Sequence, residues 1–343
     1  MTIRHNYIPL ESPSEWQEAL KGIKHSFGHT WENCYAMHLT TGLKTYLYCF
    51  ESENVRIVCP IVEREYDGYI DVMKPFGFSG FVGNGDCPEF QHYWKESARQ
   101  RGYVCGYLGL NPIFDYSNHF APKEVYQYDT VHILDLTLSH DELWTNLSKN
   151  RKRQLSDWDS VRRNLSLDKS ILTDFFLANH EDFFRRKGAE QFYHFSRATL
   201  SFLFSLDNVS IVGAPGPDNV EAVSVFAHTA DVGEYLFNVS LPGGKDHTAA
   251  LIWHGVNHLK SLQIPLINLG GGGGGIGESK RRYGGKELAL CCIKQSYEPA
   301  VYEQLCQRVN ADPDDMNGYF PSYRKVAWNS CKMDFTITET DNG

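Results

Sequence analysis

Residues Asn268–Gly285 read "NLGGGGGGIGESKRRYGG", six consecutive glycines followed by a basic cluster and a Tyr-Gly-Gly. Glycines let backbone N–H groups come close to a ligand, because no Cβ stands in the way. Lys280 or Arg281 adds positive charge beside them, which suits a phosphate or a developing oxyanion. A nucleotide P-loop is excluded by order: Gly277 is followed by Glu278 and Ser279 before Lys280. The dinucleotide fingerprint is matched only trivially, and no acidic residue ends a following strand at the required distance. A flexible linker is the plain alternative, although linkers of this kind usually carry serine as well.

Other candidate chemistry is weaker. His247, His254 and His258 fall near one face of a predicted helix, but Gly255 stands where a zinc protease needs its glutamate. No G-x-S-x-G elbow occurs, so a serine hydrolase has no support. The nine cysteines are scattered without a C-x-x-C pair, which argues against a disulfide framework or a zinc ribbon. Cys291-Cys292 sit in the apolar run "LALCCIK" and read as small buried hydrophobes. No metal site is expected.

These residues must be held by folded elements, and the composition is that of a globular protein. The chain has 343 residues, 42% hydrophobic and 22% charged, with a net charge of −9. That charge argues against broad binding to nucleic acid but leaves room for a narrow basic groove. Basic residues are clumped at Lys149–Gln154, at Arg162-Arg163 and at Lys280–Arg282. No apolar run follows the first basic residue and none is long enough to span a bilayer, so a cytoplasmic protein without membrane insertion is expected.

Helix and strand signals alternate. "SPSEWQEALKGI" predicts a helix capped by Ser12, and "TYLYCFE" and "VRIVCPIVERE" predict strands joined by the turn "SEN". "YIDVMKPFGFSGFVGNGD" runs from a strand into an aromatic, glycine-rich loop. "VHILDLTL" predicts a strand leading into one long amphipathic helix, "SHDELWTNLSKNRKRQLSDWDSVRR". Further on, "VSIVGAP", "EAVSVFAHTA" and "GEYLFNVSL" predict consecutive strands, and "PLINLGG" a strand entering the glycines. The class is α+β, or mixed α/β, with mixed sheets flanked by helices. The expected seam lies near Leu138.

Taken together, these segments resemble the Fem family, aminoacyl-tRNA-dependent transferases built from two acetyltransferase-like (GNAT) domains. "LDLTLSHDELWTNLSKNRKRQL" is similar to the family's strand and Arg-rich helix, and "INLGGGGGGIGESKRRYGG" to its late signature. "DVMKPFGFSG" resembles the aromatic-glycine loop of its first domain, and "GYFPSYR" around Tyr323 the C-terminal segment of relatives encoded with polysaccharide genes. The resemblance implies a first domain over 1–138 and a second over 139–298; the tail over 299–343 is expected to pack back on the first, because its helix has an apolar face (Val301, Leu305, Val309) that needs cover. It places Lys280 at the transfer site and Arg151 on the basic helix.

Its implied chemistry is transfer of an aminoacyl group from aminoacyl-tRNA to an amine of a cell-envelope precursor or small metabolite. Two departures, Asn268 for the usual Asp and Ser279 for the usual aromatic, leave the donor open between aminoacyl-tRNA and acyl-CoA. A fold that has lost its chemistry and only binds is the alternative. In either active case the donor is a co-substrate and no tightly bound cofactor is expected. Backbone N–H groups and Lys280 would stabilise the oxyanion formed by amine attack. Arg151 and Arg153 would bind phosphates; Gly270, Gly271 and Asn268 would bind substrate at the loop. Tyr193, Tyr235, Phe76 and Phe78 would wall the cleft.

Overall fold

The computed structural model describes residues 3–189, 193–216 and 219–325. In chain order the elements are β1 (Ile3–Pro9), α1 (Pro13–Leu20), α2 (Trp31–Thr41), β2 (Thr45–Ser52), β3 (Val55–Tyr66), β4 (Tyr69–Met73) and β5 (Val82–Gly83). Then come α3 (Phe90–Gln100), β6 (Tyr103–Leu110), β7 (Val125–Asp135), α4 (His140–Asn146), α5 (Lys149–Gln154), α6 (Trp158–Asn164) and α7 (Lys169–Arg186). The rest are α8 (Arg197–Ser205), β8 (Val209–Gly216), β9 (Asn219–His228), β10 (Gly233–Ser240), α9 (Thr248–Ser261), β11 (Leu266–Asn268), α10 (Gly274–Arg281), β12 (Lys286–Ser296) and α11 (Pro299–Arg308). No helix among them is long and apolar enough to cross a membrane.

All twelve strands join one mixed sheet in the order β1-β2-β3-β4-β6-β12-β7-β11-β10-β9-β8, with β5 added on β3. Local chemistry explains the first hairpins. Asp67 and Gly68 both take positive φ, 52° and 80°, the Asp-Gly pattern that turns β3 into β4 with the correct twist. Among the described residues two neighbouring pairs are parallel, β4 with β6 and β10 with β11. The seam expected near Leu138 is crossed by hydrogen bonds, because β12 pairs with β6 on one side and β7 on the other.

The long helix expected after Leu138 is three short ones. Leu147 is extended (φ −60°, ψ 140°), and Ser148 caps a new helix by accepting the Arg151 N–H. Serine competes for backbone hydrogen bonds and so favours a cap over a helix interior. Elsewhere α2 is docked on α8, where Thr199 Oγ1 donates to the Ala36 carbonyl at 2.7 Å. This ties the first half to the second on one side of the sheet.

The tail after β12 covers the outer face of β6. Tyr302, Leu305 and Cys306 of α11 are buried with Val104, Cys105, Phe320 and Tyr323. Beneath them Asp71 is fully buried and accepts from Arg64 Nε (2.7 Å), Tyr323 Oη (2.8 Å) and Arg324 Nε (2.6 Å). Residues 326–343 of the expected tail lie outside the described residues.

Candidate active site

Strands β10 and β11 run parallel for only two residues each, Gly233-Glu234 against Ile267-Asn268. β10 then shifts register between Tyr235 and Phe237 and continues to Ser240, whereas β11 stops at Asn268. The pair therefore opens into a V at its carboxyl end, the side where parallel strands present ligand clefts. The glycine run leaves from one arm of that V.

Its backbone conformation accounts for part of the composition. Gly270, Gly272 and Gly274 have φ of +77°, +130° and +56°, values that L side chains rarely adopt. Asn268 closes the first turn by accepting the Gly270 N–H on Oδ1 at 2.7 Å. The last glycines and "IGESKR" are helical, a feature that the sequence reading takes for loop. The helix α10 carries Lys280 back over the strand exit, where Nζ donates to the Gly271 carbonyl at 2.5 Å.

Each glycine has its own neighbour. A Cβ at Gly270 would lie 3.1 Å from Lys280 Nζ and 3.5 Å from Phe78 Cζ, so this position faces the candidate site. A Cβ at Gly271 would fall 2.5 Å from Asp129 Oδ2 and 2.6 Å from the Thr130 carbonyl, against β7. Its closeness is to the sheet, so a valine there would push the loop off β7. Gly277 has a structural part that its place in the sequence does not announce. Its Cβ would meet the Gly272 carbonyl at 2.5 Å, whereas nothing stands within 4 Å of one at Gly273.

Gly277→Ala is therefore expected to cost about 1–3 kcal/mol by overpacking. Gly273→Ser should stay within about 0.5 kcal/mol, as an exposed cap exchange does. Urea unfolding of the two variants checks both values. Equal stabilities would mean that α10 does not rest on the glycine loop.

Burial pushes the Lys280 ammonium down to about 8, against the attraction of Asp129, which raises it. Its ammonium stands 6.0 Å from the Tyr235 ring centroid. At neutral pH the cation persists and, beyond the Gly271 bond, has protons for a ligand oxygen. This is a point charge set at the mouth of the V.

Arg151 lies next to Lys280 through Ser279, yet its role differs from the one expected. Its guanidinium donates to the Ser279 carbonyl (2.7 Å), Ser279 Oγ (3.0 Å) and Gln154 Oε1 (2.8 Å), and lies 4.2 Å over the Tyr283 ring. It is 3% exposed. The Ser279 carbonyl belongs to the last turn of α10, where a cation complements the helix dipole. Arg151 thus fixes the helix that carries Lys280. Arg153 faces solvent and donates to Asn150 Oδ1 at 2.8 Å, away from this contact network.

Arg151→Ala should lower stability by about 2 kcal/mol, because it leaves buried acceptors without their charged donor. It should also leave the salt dependence of substrate binding unchanged. Thermal melts and binding at two ionic strengths test this. A variant with wild-type stability and no salt response would instead make Arg151 a phosphate ligand.

The expected aromatic wall is split. Phe78 reaches Gly270, as above, and Tyr235 lies beside Lys280. Phe76 packs among Phe195 (5.0 Å), Tyr193 (5.6 Å) and Phe237 (6.2 Å), an aromatic cluster continuous with the core under α7 and α8. Of the histidines, His254 and His258 stack on each other and His258 Nε2 meets Ser210 Oγ at 2.9 Å. Glu234 is also missing from the sequence reading. It is 1% exposed, and burial raises its carboxyl to about 8, with Ser26, Lys74 and Gly28 opposing. The available signal is an acid inside the otherwise apolar strand "GEYLFNVS".

Known structures of low sequence identity share this architecture. FemX superposes with a TM-score of 0.65 at 8% identity, over 88% of this chain and 99% of that one. The chain has the fold of FemX. The C-terminal DUF2156 domain assigned to a lysylphosphatidylglycerol synthetase of Agrobacterium fabrum matches at 0.55 with 14% identity, over 87% and 96% of the two chains. L-PGS from Bacillus licheniformis matches at 0.53 with 13% identity, over 82% and 91%. No protein-family model matches the sequence, and neither does any curated protein. The α+β architecture expected from the sequence is thus the Fem-like one.

Proposed function

We propose that the protein is an acyltransferase that moves an aminoacyl group from aminoacyl-tRNA to an amine. The observation that carries this reading is the Lys280 ammonium, held by the Gly271 carbonyl at the open end of β10 and β11. An acceptor amine attacks the ester carbonyl, forming the C–N bond and placing negative charge on the carbonyl oxygen. Lys280 stabilises that oxygen. Collapse then breaks the ester C–O bond, and the proton lost by the amine ends on the departing ribose oxygen. No covalent enzyme intermediate is needed, and positioning supplies much of the rate. The acceptor would be a cell-envelope precursor or small metabolite.

An acyl-CoA donor is the second reading. A helix N-terminus beside the V, that of α9, is the natural seat for a diphosphate. There Glu221 covers the Gly243-Gly244 turn: a Cβ at Gly243 would lie 3.0 Å from Glu221 Oε1, and one at Gly244 2.3 Å from its carbonyl. A carboxylate at that place repels phosphate, which favours the tRNA ester. Incubation with charged tRNA pools and with acyl-CoAs, read by mass spectrometry of candidate amines, tests this. Transfer from charged tRNA that disappears in Lys280→Ala is expected. Transfer from thioesters only would change the donor, and transfer from neither would retire the reading.

A further inference from the structure

Side-chain alternation fails at one point of β7, and the failure puts two neighbours on one face. β12 pairs Leu290 with Asp129 but Cys291 with Gln127, so Tyr128 is an extra residue in β7. Such a bulge re-aims side chains, and bulges are common beside active sites. Directly paired residues leave a sheet on the same face, which sets Asp129 with Leu290. Lys294, four residues on and therefore on that face too, is paired with Tyr107 of β6. The Tyr107 ring lies 6.4 Å from the Tyr128 ring. Tyr128 and Asp129 thus share a face although they are consecutive.

That face is open here. Tyr128 is 46% exposed, although β7 lies in the middle of the sheet. Asp129 and Lys280 both border Gly271. Asp129 Oδ2 would lie 2.5 Å from a Cβ there, and Lys280 Nζ donates to its carbonyl at 2.5 Å. The two charges attract but form no ion pair among the described residues. Asp129 Oδ1 takes the Thr130 N–H at 2.8 Å, and no hydrogen bond among the described residues reaches Oδ2. A free carboxylate oxygen thus stands across Gly271 from the cation that meets the acyl oxygen.

We propose that the acceptor comes in over Tyr128 as a primary ammonium and is held by Asp129 Oδ2. The proposal rests on the acyl-transfer reading above and names the acceptor's class, a cationic amine rather than a hydroxyl or an uncharged nitrogen. Most primary amines are protonated at neutral pH, as lysine is. A charge-assisted hydrogen bond to a carboxylate both selects and aims that form. One ammonium proton passes to Oδ2 and on to water, and the lone pair so freed forms the C–N bond. The second proton lost takes the course given above, to the ribose oxygen. Asp129 also offsets the repulsion between the entering ammonium and Lys280.

The test compares nucleophiles with charged tRNA pools as donor and the full chain as enzyme. Glucosamine, lysine and cadaverine are cations near neutral pH, whereas hydroxylamine is uncharged. The quantity read is kcat/KM for the best amine divided by that for hydroxylamine, above an enzyme-free blank. Asp129→Asn, checked for folding by its melting curve, should lower this ratio by about tenfold or more. A residue that only supported the charge of Lys280 would slow both nucleophiles alike and leave the ratio unchanged. An unchanged ratio in folded Asp129→Asn, or a wild type that uses hydroxylamine and none of the amines, overturns the ammonium seat and leaves acyl transfer standing. Transfer to no nucleophile at all overturns both.

Discussion

Lys280→Ala is expected to lower kcat by about 100- to 1000-fold and to change KM much less, the loss that follows when one oxyanion donor is removed, on the order of 3 kcal/mol. The charge it meets exists only in the transition state, so ground-state binding is little affected. The same residue sets a pH limit. The acting form is the cation, and burial lowers its pKa to about 8. Activity is therefore lost as pH rises through about 8, earlier than for an ordinary lysine at about 10.4. Lys280→Arg should abolish that falling limb yet restore the rate poorly, because a planar fork does not replace a point charge. Steady-state kinetics between pH 6 and 10 read both effects. A Lys280→Ala enzyme within threefold of wild type would move the site elsewhere.

Asp71→Ala should unfold far more easily than the wild type, by about 3–5 kcal/mol, because it strands two guanidinium groups around a buried vacancy of charge. Arg64 and Arg324 both rest on that carboxylate, and Arg64 is the more enclosed of the two. Arg324→Ala should cost less, since Tyr323 and Arg64 still satisfy the acid. Urea unfolding gives both numbers. A loss below about 1 kcal/mol for Asp71→Ala would mean that apolar packing of α11 alone holds the tail.

Much of this arrangement is legible in the sequence where the signal is local. The strands β2 and β3, and the hairpin run β8 to β10, are short runs rich in β-branched and aromatic residues, bounded by turn residues. Lys280 is readable because it lies only nine positions after Gly271, so one short helix suffices to bring them together. Arg151 is readable as a neighbour but not as a strut: the Ser279 carbonyl that it holds has no signature of its own. The helix α10 is hidden because Gly274, Gly275 and Gly277 are poor helix formers, and tertiary packing on β7 overrides their propensity. The replacement of the usual Asp by Asn268 reads as a departure in the sequence. Beside Glu234 it has a physical reason, since two adjacent buried carboxylates would repel each other.

The place of β12 in the sheet bears on how the chain comes off the ribosome. Its residues, Lys286–Ser296, pair with Tyr107 and its neighbours on one side and with Tyr126 and its neighbours on the other. Such pairings close loops of well over a hundred residues and form late, because the entropy of closure precedes the reward. Until synthesis has passed Ser296, β6 and β7 each keep an open edge. Nascent chains therefore carry two open strand edges through a long stretch of translation, a window in which those edges can pair with other chains.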